Sequence, residues 1–352
     1  MHLLSNTHTD LKLAPSIPFP STDAGAVQTL LAQCPAARQT PLVSATDLAQ
    51  IAQVAQVWVK DERARMALGS FKALGAAYVI ATDAVATGAT ELATALAGKT
   101  YITASAGNHG LSVAAGARVF GANAIIYIAQ TVPESFAHRL RDKGAQVVRA
   151  GVDYEASMTA AKTAAASGAG QLLSDSSWEG YTQPPHRLME GYLAMIDEAA
   201  TQIPTPPTHI FLQAGVGGLA GAVAALARVV WGAEPTIVVV EPDAAPALFE
   251  SIKAGRFVAT TGPVSAMGRL DCKEASLIAL KGLARDADVF VTLSEQEAAD
   301  AMPVLSSCNL ASTPSGGAGL AALLAASNAD RTALGLSGTS RVLTFLSEAP
   351  DA

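Results

Sequence analysis

The chain has 352 residues, and 23 basic against 30 acidic side chains give a formal net charge of −7, with hydrophobic residues at 50% and charged ones at 15%. That hydrophobicity excludes a disordered chain, and an acidic balance with scattered basic residues offers no footprint for a nucleic-acid backbone. At roughly 150 residues per domain the length suggests two domains, while Cys34, Cys272 and Cys308 are too few and too far apart for a disulfide framework or a Cys-x-x-Cys site and suit a reducing compartment.

The N-terminal stretch lacks the basic start and long apolar run of a secretory signal, so a cytoplasmic location is expected. Gln56–Val59 predicts a strand, and Tyr78–Val85 lies in a helical stretch that Gly88 stops. A strand ending near Thr103 and a polar turn at Ser105–His109 come next, then helical spacing over Leu111–Phe120 and a buried strand at Ala124–Ile128. Phe136–Lys143 predicts a helix stopped by Gly144, Ala145–Val148 a strand, and Asp153 the N-cap of an alanine-rich helix ended by Gly168. Ile203–Thr208 is a Pro-rich connector. The run Ile210–Ala227 has no charge and reaches the length of a membrane span, but Gly215, Gly217 and Gly218 break it into strand, glycine loop and helix. With Ile237–Val240 as the next buried strand this is a βαβ unit, so no membrane partner is expected. Arg341–Leu346 predicts the last strand, and no C-terminal regulatory domain is expected after it. Alternation of this kind predicts an α/β fold with mostly parallel sheets flanked by helices.

Ligands of open α/β sheets bind beyond the carboxyl ends of the strands, and four turns there carry chemistry. Gly69–Ala76 holds a single lysine, Lys72, among small and apolar residues. Loss of hydration eases deprotonation, and a neutral amine forms Schiff bases; alone, Lys72 reads as an ordinary helix lysine with its head in solvent. Thr103–Gly110 exposes consecutive peptide N–H groups at a helix start, a nest for carboxylate or phosphate or else a capped tight turn. Gln213–Leu219 is a glycine loop opening a helix, suited to a phosphate group, without the Gly-x-Gly-x-x-Gly spacing of a dinucleotide site. Leu173–Tyr181 places Asp175 at a strand end beside Trp178, where a raised pKa would suit an acid or base; alone, Asp175 reads as a helix cap. His186 and Glu190 do not make a metal motif, and no metal is expected. A dinucleotide oxidoreductase remains a rival, with Glu241 closing the strand after the glycine loop.

Gly-Ser-Phe-Lys followed by Gly-Ala, then Ser-Ala-Gly-Asn-His, then Gly-Val-Gly-Gly, in this order, resembles the fold type II pyridoxal-phosphate enzymes of the threonine dehydratase and tryptophan synthase β group. Lys60-Asp-Glu62, Gly-Asn-His-Gly, Asp-x-x-Trp-Glu-Gly-Tyr and Gln-Ala-Gly-Val-Gly are most similar to the diaminopropionate ammonia-lyases. The resemblance implies a two-domain α/β fold, with residues 1–75 and 173–352 forming a large pyridoxal-phosphate domain and 76–172 a smaller inserted one. It implies a homodimer, a small amino-acid substrate and α,β-elimination to a 2-oxo acid and ammonia. By the same resemblance Lys72 links the cofactor, Asn108 bonds its 3'-oxygen, and Gly215, Val216, Gly217, Gly218 and Leu219 hold its phosphate. Ser105, Ala106, Gly107 and Asn108 cradle the substrate carboxylate, Lys72 or Asp175 takes the Cα proton, and Ser347, with Ser315 as runner-up, faces the pyridine nitrogen. Ala106 departs from the ammonia-lyase pattern, which has an aspartate there for the D-substrate, whereas threonine dehydratases have Ala or Ser. An L-serine, L-threonine or 3-hydroxyaspartate dehydratase is therefore the alternative, and a β-replacement enzyme of the cysteine synthase kind a further one.

Overall fold

Aliphatic and β-branched runs bounded by glycine or polar turns become the strands of two sheets in the computed structural model, which describes residues 1–351. In chain order β1 (His2–Ser5), β2 (Leu42–Ser44) and β3 (Gln56–Asp61) come first. They are followed by β4 (Thr100–Ala104), β5 (Asn123–Ile128), β6 (Gln146–Arg149) and β7 (Gln171–Leu172). The later strands are β8 (His209–Gln213), β9 (Thr236–Pro242), β10 (Val289–Leu293) and β11 (Arg341–Leu346). β4 to β7 form a parallel sheet in the order β6-β5-β4-β7, and the other seven a sheet in the order β1-β10-β9-β8-β11-β3-β2. In the larger sheet β3, β11, β8, β9 and β10 are parallel, and β1 and β2 are antiparallel edges.

Helices cover both sheets. The first half holds α1 (Ala24–Leu31), α2 (Thr46–Ile51), α3 (Lys72–Ala86), α4 (Asn108–Val119), α5 (Glu134–Asp142), α6 (Tyr154–Ala166) and α7 (Gln183–Gly191). The second holds α8 (Leu193–Gln202), α9 (Gly218–Trp231), α10 (Ala247–Ala254), α11 (Leu277–Asp286), α12 (Glu295–Ser307), α13 (Ala318–Ala325) and α14 (Asn328–Leu334). Asp153 caps α6 as its sequence suggests, with Oδ1 accepting the Ala156 N–H at 2.8 Å. The apolar run from Ile210 divides into β8, a loop and α9, whose residues 218–227 are all buried. No helix among the described residues is long and apolar enough to cross a membrane.

Two features set the position of the site. First, α3 packs between α4 and α7, joining the elements around the smaller sheet to those of the larger. That approach is close: a Cβ on Gly191 would stand 2.4 Å from the Leu74 carbonyl oxygen. Second, the Lys60-Asp-Glu62 segment is structural. Lys60 Nζ pairs with Glu198 at 2.7 Å, and Arg65 with Glu62 at 2.7 Å and Glu198 at 2.8 Å, all fully buried around Thr40. Burial lowers the Lys60 pKa against the pull of Glu198. Two cations and two carboxylates so arranged satisfy one another and fasten α8 to the end of β3.

Candidate active site

The start of α3, after β3, and the turns that follow β4, β7, β8 and β11 carry the side chains singled out by the sequence. Lys72 is the first residue of α3, not part of a free turn; its N–H donates to Ser70 Oγ at 3.1 Å, and the Phe71 N–H donates to the Ser347 carbonyl at 3.0 Å. Its Nζ reaches Asp175 Oδ2 at 2.6 Å, with the two side chains 21% and 18% exposed. The Phe71 and Tyr192 rings wall the amine, their centroids 5.2 and 5.7 Å away. Tyr192 OH is buried without a partner among the described residues.

This ion pair corrects two expectations. Burial alone would lower the Lys72 pKa, but the Asp175 carboxylate outweighs it and holds the amine protonated, well above its ordinary value. Burial would raise Asp175, and here the Lys72 ammonium holds its carboxyl well below the usual range. Trp178 does not raise it: that ring stacks on Tyr181 at 4.3 Å and lies under Lys162 Nζ at 3.9 Å. Asp175 is not a helix cap either, since the next helix, α7, begins at Gln183. His109 Nε2 lies 2.8 Å from the Leu173 carbonyl, so it carries the proton; burial keeps the ring neutral.

After β4, Ser105 Oγ accepts the N–H of Gly107 at 3.2 Å and of Gly110 at 3.0 Å. The Gly107 amide is thus turned inward. The N–H groups of Ala106, Asn108 and His109 meet no acceptor among the described residues, and these three, rather than Gly107, are open to an anion. The Ala106 side chain is exposed in a cavity of about 320 Å³ shared with Arg269, Thr313, Ser315 and Asp351.

After β8, the N–H groups of Gly215, Val216, Gly217, Gly218 and Leu219 also find no acceptor among the described residues, at the start of α9. Gly217 has φ +95°, and a Cβ there would stand 2.9 Å from Ala279 Cβ. The turn therefore needs glycine, and with the helix dipole it makes an anion site. Cys272 borders it, its Sγ 3.0 Å from where a Gly215 Cβ would lie; burial, reinforced by Asp175, pushes its thiol up to about 12. The dinucleotide rival fails at Glu241. Its carboxylate, fully buried and pushed up to about 8 by burial, accepts the Leu248 and Phe249 N–H groups at the start of α10, so no group is left for a ribose.

Beyond β11, Ser347 is buried, its N–H donating to Gly316 O at 3.2 Å, with no partner for its hydroxyl among the described residues. Ser315 Oγ, in contrast, accepts the Arg269 N–H at 3.1 Å. Between them stands Glu348, which sequence reasoning passed over. It accepts from Asn108 Nδ2 at 2.5 Å, from Arg269 at 2.8 Å and from the Thr313 hydroxyl.

An amine, an anion nest at a helix start and a second set of open amides, gathered at strand ends, are the contacts a phosphorylated aldehyde and an amino acid require. The model of the pyridoxal-phosphate dependent enzymes matches residues 34–348. The chain belongs to that family. Its cofactor is pyridoxal phosphate and it is an enzyme of the lyase type. The residues present fit the cofactor, with a lysine amine for the aldehyde and unpaired amides from Gly215 to Leu219 for the phosphate. Among relatives within the family, diaminopropionate ammonia-lyase of Escherichia coli (strain K12) is 33% identical over 282 residues, 76% of this chain and 71% of that protein. Human serine dehydratase-like is 28% identical over 244 residues, 69% and 68% of the two chains. The crystal structure of the Escherichia coli diaminopropionate ammonia-lyase in complex with an aminoacrylate–pyridoxal phosphate azomethine reaction intermediate superposes with a TM-score of 0.88 at 29% identity, covering 99% of this chain and 93% of that one. The two-sheet architecture is therefore that of the fold type II pyridoxal-phosphate enzymes.

Proposed function

We propose that this enzyme catalyses α,β-elimination from a small L-amino acid, 2,3-diaminopropionate or a close analogue, to a 2-oxo acid and ammonia. The observation that carries the reading is the Lys72–Asp175 pair at 2.6 Å, set between the open amides after β4 and those after β8. Bound pyridoxal phosphate supplies the electron sink that lets a Cα–H bond break and a β-substituent leave. Lys72 Nζ anchors the cofactor, and the amides from Gly215 to Leu219 hold its phosphate. The N–H groups of Ala106, Asn108 and His109 orient the substrate carboxylate. Asp175, ionised and close to Nζ, accepts the hydrogen bond of the Lys72 amine and so steadies the proton that Lys72 gives or takes, and it is the second candidate for the Cα base. Ser347 is assigned to the pyridine nitrogen, its hydroxyl having no partner among the described residues, with Ser315, whose hydroxyl accepts from the Arg269 N–H and keeps its own proton to donate, as runner-up. A neutral hydroxyl there leaves that nitrogen unprotonated and favours elimination over transamination.

Residues 1–75 and 173–352 as one domain and 76–172 as the other belong to the same proposal; the strands of the smaller sheet all fall between 100 and 172. So do the cytoplasmic location and the homodimer, the latter checked by light scattering. A second reading, dehydration of L-serine, L-threonine or 3-hydroxyaspartate, is favoured by Ala106 and its want of a carboxylate. The test is a panel of L- and D-diaminopropionate, L-serine, L-threonine and 3-hydroxyaspartate, scored for ammonia and 2-oxo acid. Fastest release from L-diaminopropionate is expected; release from the hydroxy acids alone overturns the first reading in favour of the second.

A further inference from the structure

Glu348 leaves β11 directly after Ser347 and is 4% exposed. Its main chain is fastened on both sides: the carbonyl accepts from Ser312 Oγ at 2.7 Å, and the Ala349 N–H donates to Gly69 O at 2.9 Å. Its carboxylate is as firmly held. Oε1 accepts from Arg269 at 2.8 Å and from the Thr313 hydroxyl, and Oε2 from Asn108 Nδ2 at 2.5 Å. We propose that Glu348 is a positioning residue that fixes which way the Asn108 amide faces and, through it, how tightly the lysine-linked cofactor holds its Schiff-base proton.

The proposal rests on the reading that places Asn108 at the cofactor's 3'-oxygen. A side-chain amide has a donor end and an acceptor end of nearly equal size, and nothing in its own shape decides between them. An ionised carboxylate can only accept, so Asn108 must turn Nδ2 toward Glu348, leaving its second N–H as the donor for an oxygen in the cleft. A donor there shares the electron pair of an ionised oxygen, which then holds a neighbouring proton less tightly; with Oδ1 turned inward the same oxygen would be repelled. Arg269 gives Glu348 its role. Burial pushes that carboxyl up, and the adjacent guanidinium, itself paired with Asp351 at 2.5 Å, opposes the rise and favours the acceptor-only form. Ser347 is thereby relieved of setting the ring's electronic state alone.

The test uses holoenzyme loaded with pyridoxal phosphate, following the visible absorbance of the lysine-linked cofactor against pH and cofactor retention by equilibrium dialysis. Glu348→Gln, whose amide can donate to Asn108 Oδ1 and so permits the flip, is expected to move the spectral midpoint upward and weaken retention about tenfold, the scale of one charge-assisted hydrogen bond. Asn108→Ala is expected to move it in the same direction, and the double variant no further. An unmoved midpoint in Glu348→Gln alongside a moved one in Asn108→Ala overturns the proposal, as does full additivity in the double variant. If Glu348→Gln does not fold, Arg269→Met carries the test from a side chain 32% exposed, and an unmoved midpoint there overturns it equally. A wild-type protein that takes up no cofactor and shows no visible band instead overturns the underlying placement of the site.

Discussion

At Lys72 and Asp175 two titrations with opposite signs share one 2.6 Å contact. The Asp175 carboxyl is held below its unfolded value of about 3.9, so its contribution to stability is present above that pH and is lost as pH falls toward the folded value. Lys72 is held above its unfolded value of about 10.4, so its contribution is present below that pH and is lost as pH rises through the folded value. In cofactor-free protein Asp175→Asn should therefore cost stability near neutral pH and little in acid. The cost should fall short of the roughly 3–5 kcal/mol of a fully buried pair, since both groups keep some contact with water. Urea unfolding at both pH values checks this. In the loaded enzyme the same variant should lose roughly 10²- to 10⁴-fold in rate while still taking up cofactor, measured by steady-state kinetics and absorbance. In the proposed assignment Ala106 sets the stereochemistry: its methyl group accepts no proton, so L-diaminopropionate should turn over and the D-isomer remain nearly untouched. Equal rates for the two isomers would refute that assignment. Lys72, Asn108, Asp175 and the glycine loop were legible in the sequence because each sits in a short motif. Glu348, Arg269, Cys272 and Tyr192 were not, because a buried carboxylate or thiol has no local signature and these four meet the site only through chain reversals.

Among the elements, the turn from β8 into α9 depends most on one backbone angle. Gly217→Ala must adopt φ +95° and seat a methyl group 2.9 Å from Ala279 Cβ. The left-handed conformation alone costs about 1–2 kcal/mol, so cofactor affinity should fall about tenfold or more with the fold intact. Equilibrium dialysis together with circular dichroism separates those outcomes. The same scale explains what the sequence withheld. β9 and β11 were legible because strands covered on both faces are continuous apolar runs. β1 was not, since its four residues, none of them buried, become a strand only by pairing with β10, Leu3 opposite Val291. β7, with two residues, is defined by its neighbour β4, and only its end before Asp175 was marked in the sequence. The capping box of Ser294 and Glu297 at the start of α12 was a readable local signal that went unused.

In the whole molecule, β11 lies inside the larger sheet, between β8 and β3, although it comes after both in the chain. The contributors to the pocket appear during synthesis in the order Lys72, Ser105–Asn108, Asp175, Gly215–Leu219, Arg269 and finally Ser347 and Glu348. The strands of the smaller sheet, contiguous between 100 and 172, can pair while the ribosome is still at work, whereas β3 and β8 have no partner between them until Leu346 has emerged. Nascent chains stalled before Arg341 should thus protect the smaller sheet from protease yet fail to develop the cofactor's visible absorbance, and chains extended past Glu348 should gain it. Cofactor capture is consequently expected only once β11 has filled the lane between β8 and β3, and until then the larger sheet stays open at that place.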